Sequence, residues 1–409
     1  MSADRREFRN PFDDFDISLK DCPLVKDGTS WRLAPAFKTH LESWIQDLLG
    51  RLEADMERDA DWDDSSVYTG TAGLILLFMH LNSVTSDTKY LQRAAELEPR
   101  LPSLRPSHRR PTLLCGDAGV VAVTAAVHQA ERRTEEARRR LATVMKLAFA
   151  VEESSSLPDE LLYGRAGYLA TLLYIRRTFG NDVPNLEEAM QKTVSAIVSS
   201  GARLAARERS PCPLMYAWHD KHYLGAAHGL CGILSLLLQV PQLVAPPALA
   251  DLVLPTVDYL AGLRLPSGNY PSSLESRTSD RLVHWCHGAP GFCHMFCLAY
   301  QTFGDERYLQ LARQSADLVW ARGLLRKGYG LCHGTAGNAY TFLHLHQLTQ
   351  DPRDLYRACR FAEWCSEYGR HGCRTPDRPV SLFEGIAGTV YFLADLLHPE
   401  KARFPGLCF

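Results

Sequence analysis

The chain has 409 residues, 46% hydrophobic and 22% charged, which is ample material for a large buried core. Its 45 Lys and Arg against 47 Asp and Glu leave a formal net charge of −2, which excludes bulk attraction to nucleic acid or to an anionic membrane surface. The 12 cysteines fall at irregular spacing, a pattern that suits reduced thiols in the cytoplasm better than a disulfide framework.

The first stretch, "MSADRREFRNPFDDFD" (1–16), is polar and lacks the apolar segment of a secretory signal. Ser2 stands where N-myristoylation needs glycine, and no apolar run in the chain is long enough to cross a bilayer, so no intrinsic membrane anchor is expected. Residues 1–65 read as an N-terminal extension carrying one outer helix. "DWDDSS" (61–66) reads as a cap before the first strongly apolar run.

From residue 66 onward one motif recurs seven times: "YTGTAGL", "LCGDAGV", "LYGRAGY", "AHGLCGI", "CHGAPGF", "CHGTAGN" and "FEGIAGT". Their first glycines are Gly70, Gly116, Gly164, Gly229, Gly288, Gly334 and Gly385, so a unit of about fifty residues repeats through 66–409. Each glycine pair opens an almost wholly apolar run, such as "LILLFMHL" (74–81) or "YLATLLYI" (168–175), which predicts a helix buried on all sides. An amphipathic helix follows in "SDTKYLQRAAEL" (86–97), "GDERYLQLARQSADLVW" (304–320) and "DPRDLYRACRFAEWC" (351–365). Asp and Ser near their starts are candidate N-caps. Two basic runs, "RPSHRRPTLL" (105–114) and "ERRTEEARRR" (131–140), read as solvated surface, the second because Glu interrupts it. The ending "GLCF" is no prenylation box.

One buried and one half-exposed helix per unit predict an all-α fold, an α/α toroid of seven inner and seven outer helices in a single domain. The last unit, "SLFEGIAGTVYFLADLL" (381–397), is as apolar as the middle ones, which favours closure over an open solenoid with polar capping repeats. Closure gathers at one mouth the residues just before the glycines: Thr69, Cys115, Tyr163, His228, Cys286 with His287, Cys332 with His333, and Glu384. Thiolate and imidazole are zinc ligands, and three protein ligands leave a fourth position open. Cys286, Cys332 and His333 are the candidates. Any one of these cysteines read alone is a buried thiol, and it is the doubled "CHG" that points to metal. Cys293, Cys297, Cys359 and Cys365 lie in helical stretches and read as packing residues. His80, His284, His294, His344 and His346 read as structural or surface histidines.

The segments "HWCHGAPG", "GYGLCHGTAGNAY", "GAAHGL", "LLYGRAGY" and "SLFEGIAGT" closely resemble the eukaryotic LanC-like proteins, relatives of the bacterial lanthionine cyclases, and the resemblance runs from "NPFDDF" to "ARFPGL". It implies the toroid and one zinc ion per chain on Cys286, Cys332 and His333. It also implies glutathione binding by Lys327, before the second CHG, and by Arg374, Thr375, Pro376 and Asp377 in "RTPD". The implied activity is glutathione transfer to electrophiles, either small molecules or proteins carrying dehydroalanine or dehydrobutyrine, with His228 as the general acid. The alternative is a non-catalytic glutathione-binding adaptor or redox-responsive signalling protein with signalling partners. A bacterial cyclase has tyrosine after the first zinc cysteine, where this chain has His287, which argues against lanthionine ring closure. Asp117, Tyr163, Arg165 and Glu384 line the mouth in this reading without an assigned role. A prenyltransferase-type zinc set needs an Asp close before a Cys, and a terpene cyclase needs an Asp-rich cluster in a toroid helix. Here the candidate ligands read Cys, Cys-His, and "DWDDSS" precedes the first inner helix, so both are disfavoured.

Overall fold

The computed structural model describes residues 6–16 and 21–409. Ser2, and with it the myristoylation reading, lies outside them. A short hairpin, β1 (Leu24–Asp27) and β2 (Ser30–Leu33), pairs antiparallel around Gly28 and Thr29. It was not expected from the sequence, because four-residue strands of "LVKDGTSWRL" are too short to display an alternating pattern.

The remainder is helical. In chain order the helices are α1 (Pro35–Asp59), α2 (Thr71–Thr85), α3 (Thr88–Leu97), α4 (Asp117–Ala130), α5 (Thr134–Met145), α6 (Ala148–Glu153), α7 (Arg165–Phe179) and α8 (Leu186–Glu208). They continue as α9 (Leu230–Leu237), α10 (Pro246–Ala248), α11 (Leu254–Ala261), α12 (Ala289–Phe303), α13 (Glu306–Arg322), α14 (Thr335–Thr349), α15 (Pro352–Ser366) and α16 (Ile386–Leu396). A π-helical turn, Leu249–Val253, joins α10 to α11. Pro255 lies just beyond it and supplies no N–H to the helical ladder, a common cause of such a turn.

Helices α2, α4, α7, α9, α12, α14 and α16 each contact the next, and α16 contacts α2, so the inner ring is closed. Their first turns are buried on nearly every side, as in α2 from Thr71 to Phe78 and α4 from Asp117 to His128. The outer helices are amphipathic. In α13, Tyr308, Leu309, Ala312, Ser315, Ala316 and Val319 face inward at three- and four-residue steps. Asp87, Asp305 and Asp351 cap α3, α13 and α15 by accepting the backbone N–H two residues on, as their positions suggested. Asp64 differs: its carboxylate takes Ser66 N–H at 2.8 Å and Thr69 Oγ1–H at 2.5 Å, bracing the loop before α2 rather than capping the helix. No helix among the described residues is long and apolar enough to cross a membrane.

Helix α1 lays Phe37, Leu41, Ile45, Leu48, Leu52 and Met56 against α15 and α16, which gives α16 its outer neighbour. The segment before it is tied to the far side of the chain. Phe8 N–H donates to Leu324 C=O at 2.7 Å, Arg326 N–H donates to Arg6 C=O at 2.9 Å, and Asn10 donates to Trp320 C=O at 2.7 Å. Asp14 reaches the fully buried Arg357 at 2.7 Å, and Asp317 holds that guanidinium from its other side at 2.8 Å. Burial raises the Asp14 pKa, but the Arg357 and Arg353 guanidiniums outweigh it and hold the carboxyl well below its usual range.

The two glycines of each unit do different work. The first caps an inner helix, and at Gly288 the backbone takes φ +106°, which only glycine adopts at ease. The second lets the preceding loop lie on the helix. A Cβ on Gly337 would sit 1.7 Å from the Leu331 carbonyl oxygen. Gly337→Ala is therefore expected to destabilise the protein by about 3 kcal/mol. Gly50→Ala, in open space on exposed α1, should stabilise it by about 0.5–1 kcal/mol. Guanidinium unfolding midpoints of the two variants should move in opposite directions, and equal shifts would remove the close-approach explanation.

Candidate metal centre

In six of the seven units the residue two before the capping glycine lies on a girdle of backbone hydrogen bonds that runs from unit to unit. Cys286 N–H donates to Cys332 C=O at 3.2 Å, Cys332 N–H to Phe383 C=O at 2.8 Å, Phe383 N–H to Tyr68 C=O at 3.1 Å, and Tyr68 N–H to Leu114 C=O at 2.9 Å. Cys286 and Cys332 thus occupy equivalent positions on adjacent rungs, joined main chain to main chain. Their sulfurs and a ring nitrogen of His333 all lie within 4.8 Å of one another. Both cysteines are buried and His333 is half-buried. Burial and then the Cys286 thiol push the Cys332 pKa well above its usual value, although His333 beside it works in the other direction. Two thiols and an imidazole converge here, a donor set that fits zinc by chemical type. Tyr68, stacked on Phe383 at 4.6 Å, adds a hydroxyl whose pKa is raised by burial and by the Cys332 and Cys286 thiols.

His287 is on the same rung as Cys286 but belongs to another group. Its ring lies 5.9 Å from Tyr223 and 6.4 Å from His228, outside the donor set. His228 is one rung further round, where Ala227 N–H reaches Cys286 C=O at 3.5 Å. Its Nδ1 is 2.8 Å from Oε2 of the buried Glu160. Glu160 already accepts the Leu162 and Tyr163 backbone N–H groups and so acts as an acceptor toward the imidazole. This fixes the tautomer with the proton on Nδ1 and leaves Nε2 as the unprotonated nitrogen.

Trp218 stacks on His228 at 4.2 Å, and Tyr163 stacks on Trp218 at 5.6 Å. Trp218 is held by a two-residue hairpin to Lys221, whose turn residues His219 and Asp220 sit at φ 48° and 54°. Left-handed backbone at two successive non-glycine residues is strained, and it presents the indole over the imidazole. Cys115 and Tyr163 adjoin. Burial and then Glu160 push the thiol up to about 12, while the Cys115 thiol and then burial push the Tyr163 phenol up to about 12. A cleft of about 670 Å³ opens beside this aromatic group, lined by Arg109, Ser156, Pro158, Tyr163, Trp218 and His219.

The 374–377 segment is joined to the main chain next to Lys327. Arg374 N–H donates to Arg326 C=O at 2.8 Å, so the "RTPD" loop runs beside Lys327. Lys327, Arg374, Thr375 and Asp377 are exposed and Pro376 is half-buried, with Arg374 paired to Asp377 at 2.8 Å. Of the residues without an assigned role, Arg165 is a buried strut, bonded to the Val151 and Leu157 carbonyls and to Asp159 at 2.8 Å. Burial raises the Asp117 pKa although Arg110 lies 3.4 Å away. The Glu384 backbone N–H donates to Ser381 Oγ at 3.3 Å. Sequence reasoning missed Glu160, Trp218, Tyr223 and Tyr68. Trp218 and Tyr223 lie in the long stretch before Gly229, whereas Tyr68 and Glu160 stand at repeat positions, two before Gly70 and four before Gly164, where other units carry other residue types.

The family model for lanthionine synthetase C-like proteins matches residues 61–409. The protein named glutathione S-transferase LANCL1 from Danio rerio is 45% identical over 413 residues, covering 100% of this chain and 99% of that protein. Among solved structures, nisin cyclase superposes with a TM-score of 0.66 at 16% identity, over 89% of this chain and 95% of its own, which shows the α/α toroid. With a family match over most of its length and a full-length relative at this identity, the chain belongs to the lanthionine synthetase C-like family.

Proposed function

We propose that the protein is a zinc-dependent glutathione transferase of the cytoplasm, adding the glutathione thiol to electrophiles such as dehydroalanine or dehydrobutyrine residues in proteins. The convergence of Cys286, Cys332 and His333 one rung from a glutamate-anchored His228 carries this reading. The printed name of the zebrafish relative supports the transferase class. The twelve cysteines, all free, suit a reducing compartment.

In this reading Cys286, Cys332 and His333 hold one zinc ion, which when bound keeps a thiol as thiolate at neutral pH. Lys327 and Arg374 take the two carboxylates of glutathione, and Asp377 leaves its pairing with Arg374 to accept from the ammonium. The sulfur lone pair forms the new C–S bond at the β-carbon, and the C=C π pair moves toward the acceptor carbonyl. His228, protonated at Nε2, delivers a proton to the α-carbon and ends neutral. Glu160 stabilises the imidazolium before transfer, and Trp218 fixes the ring plane. The cleft beside Tyr163 and Trp218 receives the acceptor.

Three results are expected. Metal analysis of Cys332→Ala should show one equivalent of zinc fewer than wild type, and equal content in both would sink the zinc assignment. His228→Ala should lower kcat for addition to a dehydroalanine peptide by about 10²–10⁴-fold, with zinc content and glutathione affinity kept. Unchanged turnover removes His228 from the mechanism and turns the reading toward a binding protein. Lys327→Ala should weaken glutathione binding by about five- to tenfold, more at low than at high salt, as expected of an exposed cation. Calorimetry at two ionic strengths measures this, and a salt-independent loss would count against a charge contact.

A further inference from the structure

The two inner helices that begin just after the candidate zinc ligands carry a second group of soft donors deeper in the ring. His294 is in the second turn of α12 and His344 in the third turn of α14. At 1.5 Å per residue they sit roughly 8 and 14 Å along their helices from the mouth. The C-terminal segment runs across them. Phe404 stacks on Trp285 at 4.5 Å, Gln239 donates to Leu407 C=O at 2.7 Å, and Phe409 N–H donates to Gln239 Oε1 at 2.9 Å. This pinning fixes Cys408 with its sulfur 3.4 Å from His294 Nε2 and 3.3 Å from His344 Nε2. The three donor atoms lie within 4.8 Å of one another, and all three residues are buried.

The spacing is that of ligands around one ion. Zinc bonds of roughly 2.3 Å to sulfur and 2.05 Å to nitrogen, set at tetrahedral angles, separate the two atoms by about 3.5 Å. The three donors are enclosed together, with the rings of His294 and His344 4.2 Å apart. The Nδ1 of His344 has no hydrogen-bond partner, so the polar engagement of that buried ring is all on the Nε2 side. No carboxylate hydrogen-bonds to either ring among the described residues. A cavity of about 370 Å³ adjoins the cluster, lined also by Gln301, Gln347, Glu400 and Arg403, and offers an entry path and room for a fourth ligand.

We propose that Cys408, His294 and His344 form a second, independent site for a d¹⁰ cation of borderline or soft character, Zn²⁺ or Cu⁺. Binding replaces the Cys408 S–H bond with an S–metal bond and releases the proton to solvent, with no change of oxidation state. The ion staples the C-terminal segment to α12 and α14. Two imidazoles and one thiolate suit either ion, and donor chemistry alone does not separate them.

The test is titration of the full-length, reduced, metal-stripped chain, with Co²⁺ as the optical probe for a zinc site and with Cu⁺ against a chromogenic chelator. Two equivalents are expected in wild type and one each in Cys332→Ala, Cys408→Ser and His294→Gln. Cys332→Ala with Cys408→Ser should bind none. Uptake of the second equivalent as Co²⁺ identifies a zinc site, and uptake only as Cu⁺ a copper site. Wild type saturating at one equivalent that Cys332→Ala abolishes and Cys408→Ser leaves intact would overturn the proposal while sparing the mouth site. The converse, loss in Cys408→Ser alone, would spare this site and remove the other. His294→Gln guards against a folding defect at Cys408: if circular dichroism shows it folded and it still binds two equivalents, the proposal fails.

Discussion

Everything at the mouth depends on loops lying close enough to exchange main-chain hydrogen bonds from one repeat to the next. Those bonds set Cys286 against Cys332, Cys332 against Phe383, and Phe383 against Tyr68, and they form only because the second glycine of each unit lets a carbonyl rest where a Cβ would otherwise stand. Side chains of the girdle are thereby placed without conformational choice of their own. A metal site built on backbone rungs is preorganised in a way that one built on long flexible side chains is not.

Charge is arranged around this frame in two modes. Deep charges are answered by several partners: Arg357 by Asp14 and Asp317, and Arg165 by Asp159 and two carbonyls. An unanswered ion in such a place would cost several kcal/mol, on the order of 3–5. Rim charges are held loosely. Lys327 is exposed, and the exposed Arg374 and Asp377 pair with each other. The first mode fixes the N-terminal segment to the ring, and the second leaves cations and an anion ready for a polar ligand.

Much of this was legible in the sequence because a repeat averages out local ambiguity. Seven glycine pairs at similar steps gave the toroid, and two CHG tripeptides at the same repeat position singled out Cys286, Cys332 and His333. The harder features are those that only one unit has. Glu160 lies four residues before Gly164, where the equivalent turns carry Ser66 and Ser381, and a carboxylate at one of these positions did not mark it as the partner of His228. Trp218 is presented by a tight turn of His219 and Asp220, which lacks the glycine that marks such turns most plainly in a sequence. Cys408 stands outside every repeat, and His294 and His344 face inward from helices whose apolar pattern made them look like packing. Chain order carries little information about donors that meet across a ring.

The girdle also has a break. Among the described residues the main-chain links run from Ala227 through Cys286, Cys332, Phe383 and Tyr68 to Leu114, and Thr112 carries them to Leu162. Between Leu162 and Ala227 the join is instead made by the Glu160–His228 side-chain pair. The ring is in effect a clasp bracelet, and the fastening is the histidine proposed to move the proton. The side chain that links these two rungs is thus the same one proposed to do the chemistry, so His228 is part of the frame of the mouth as well as of its contents.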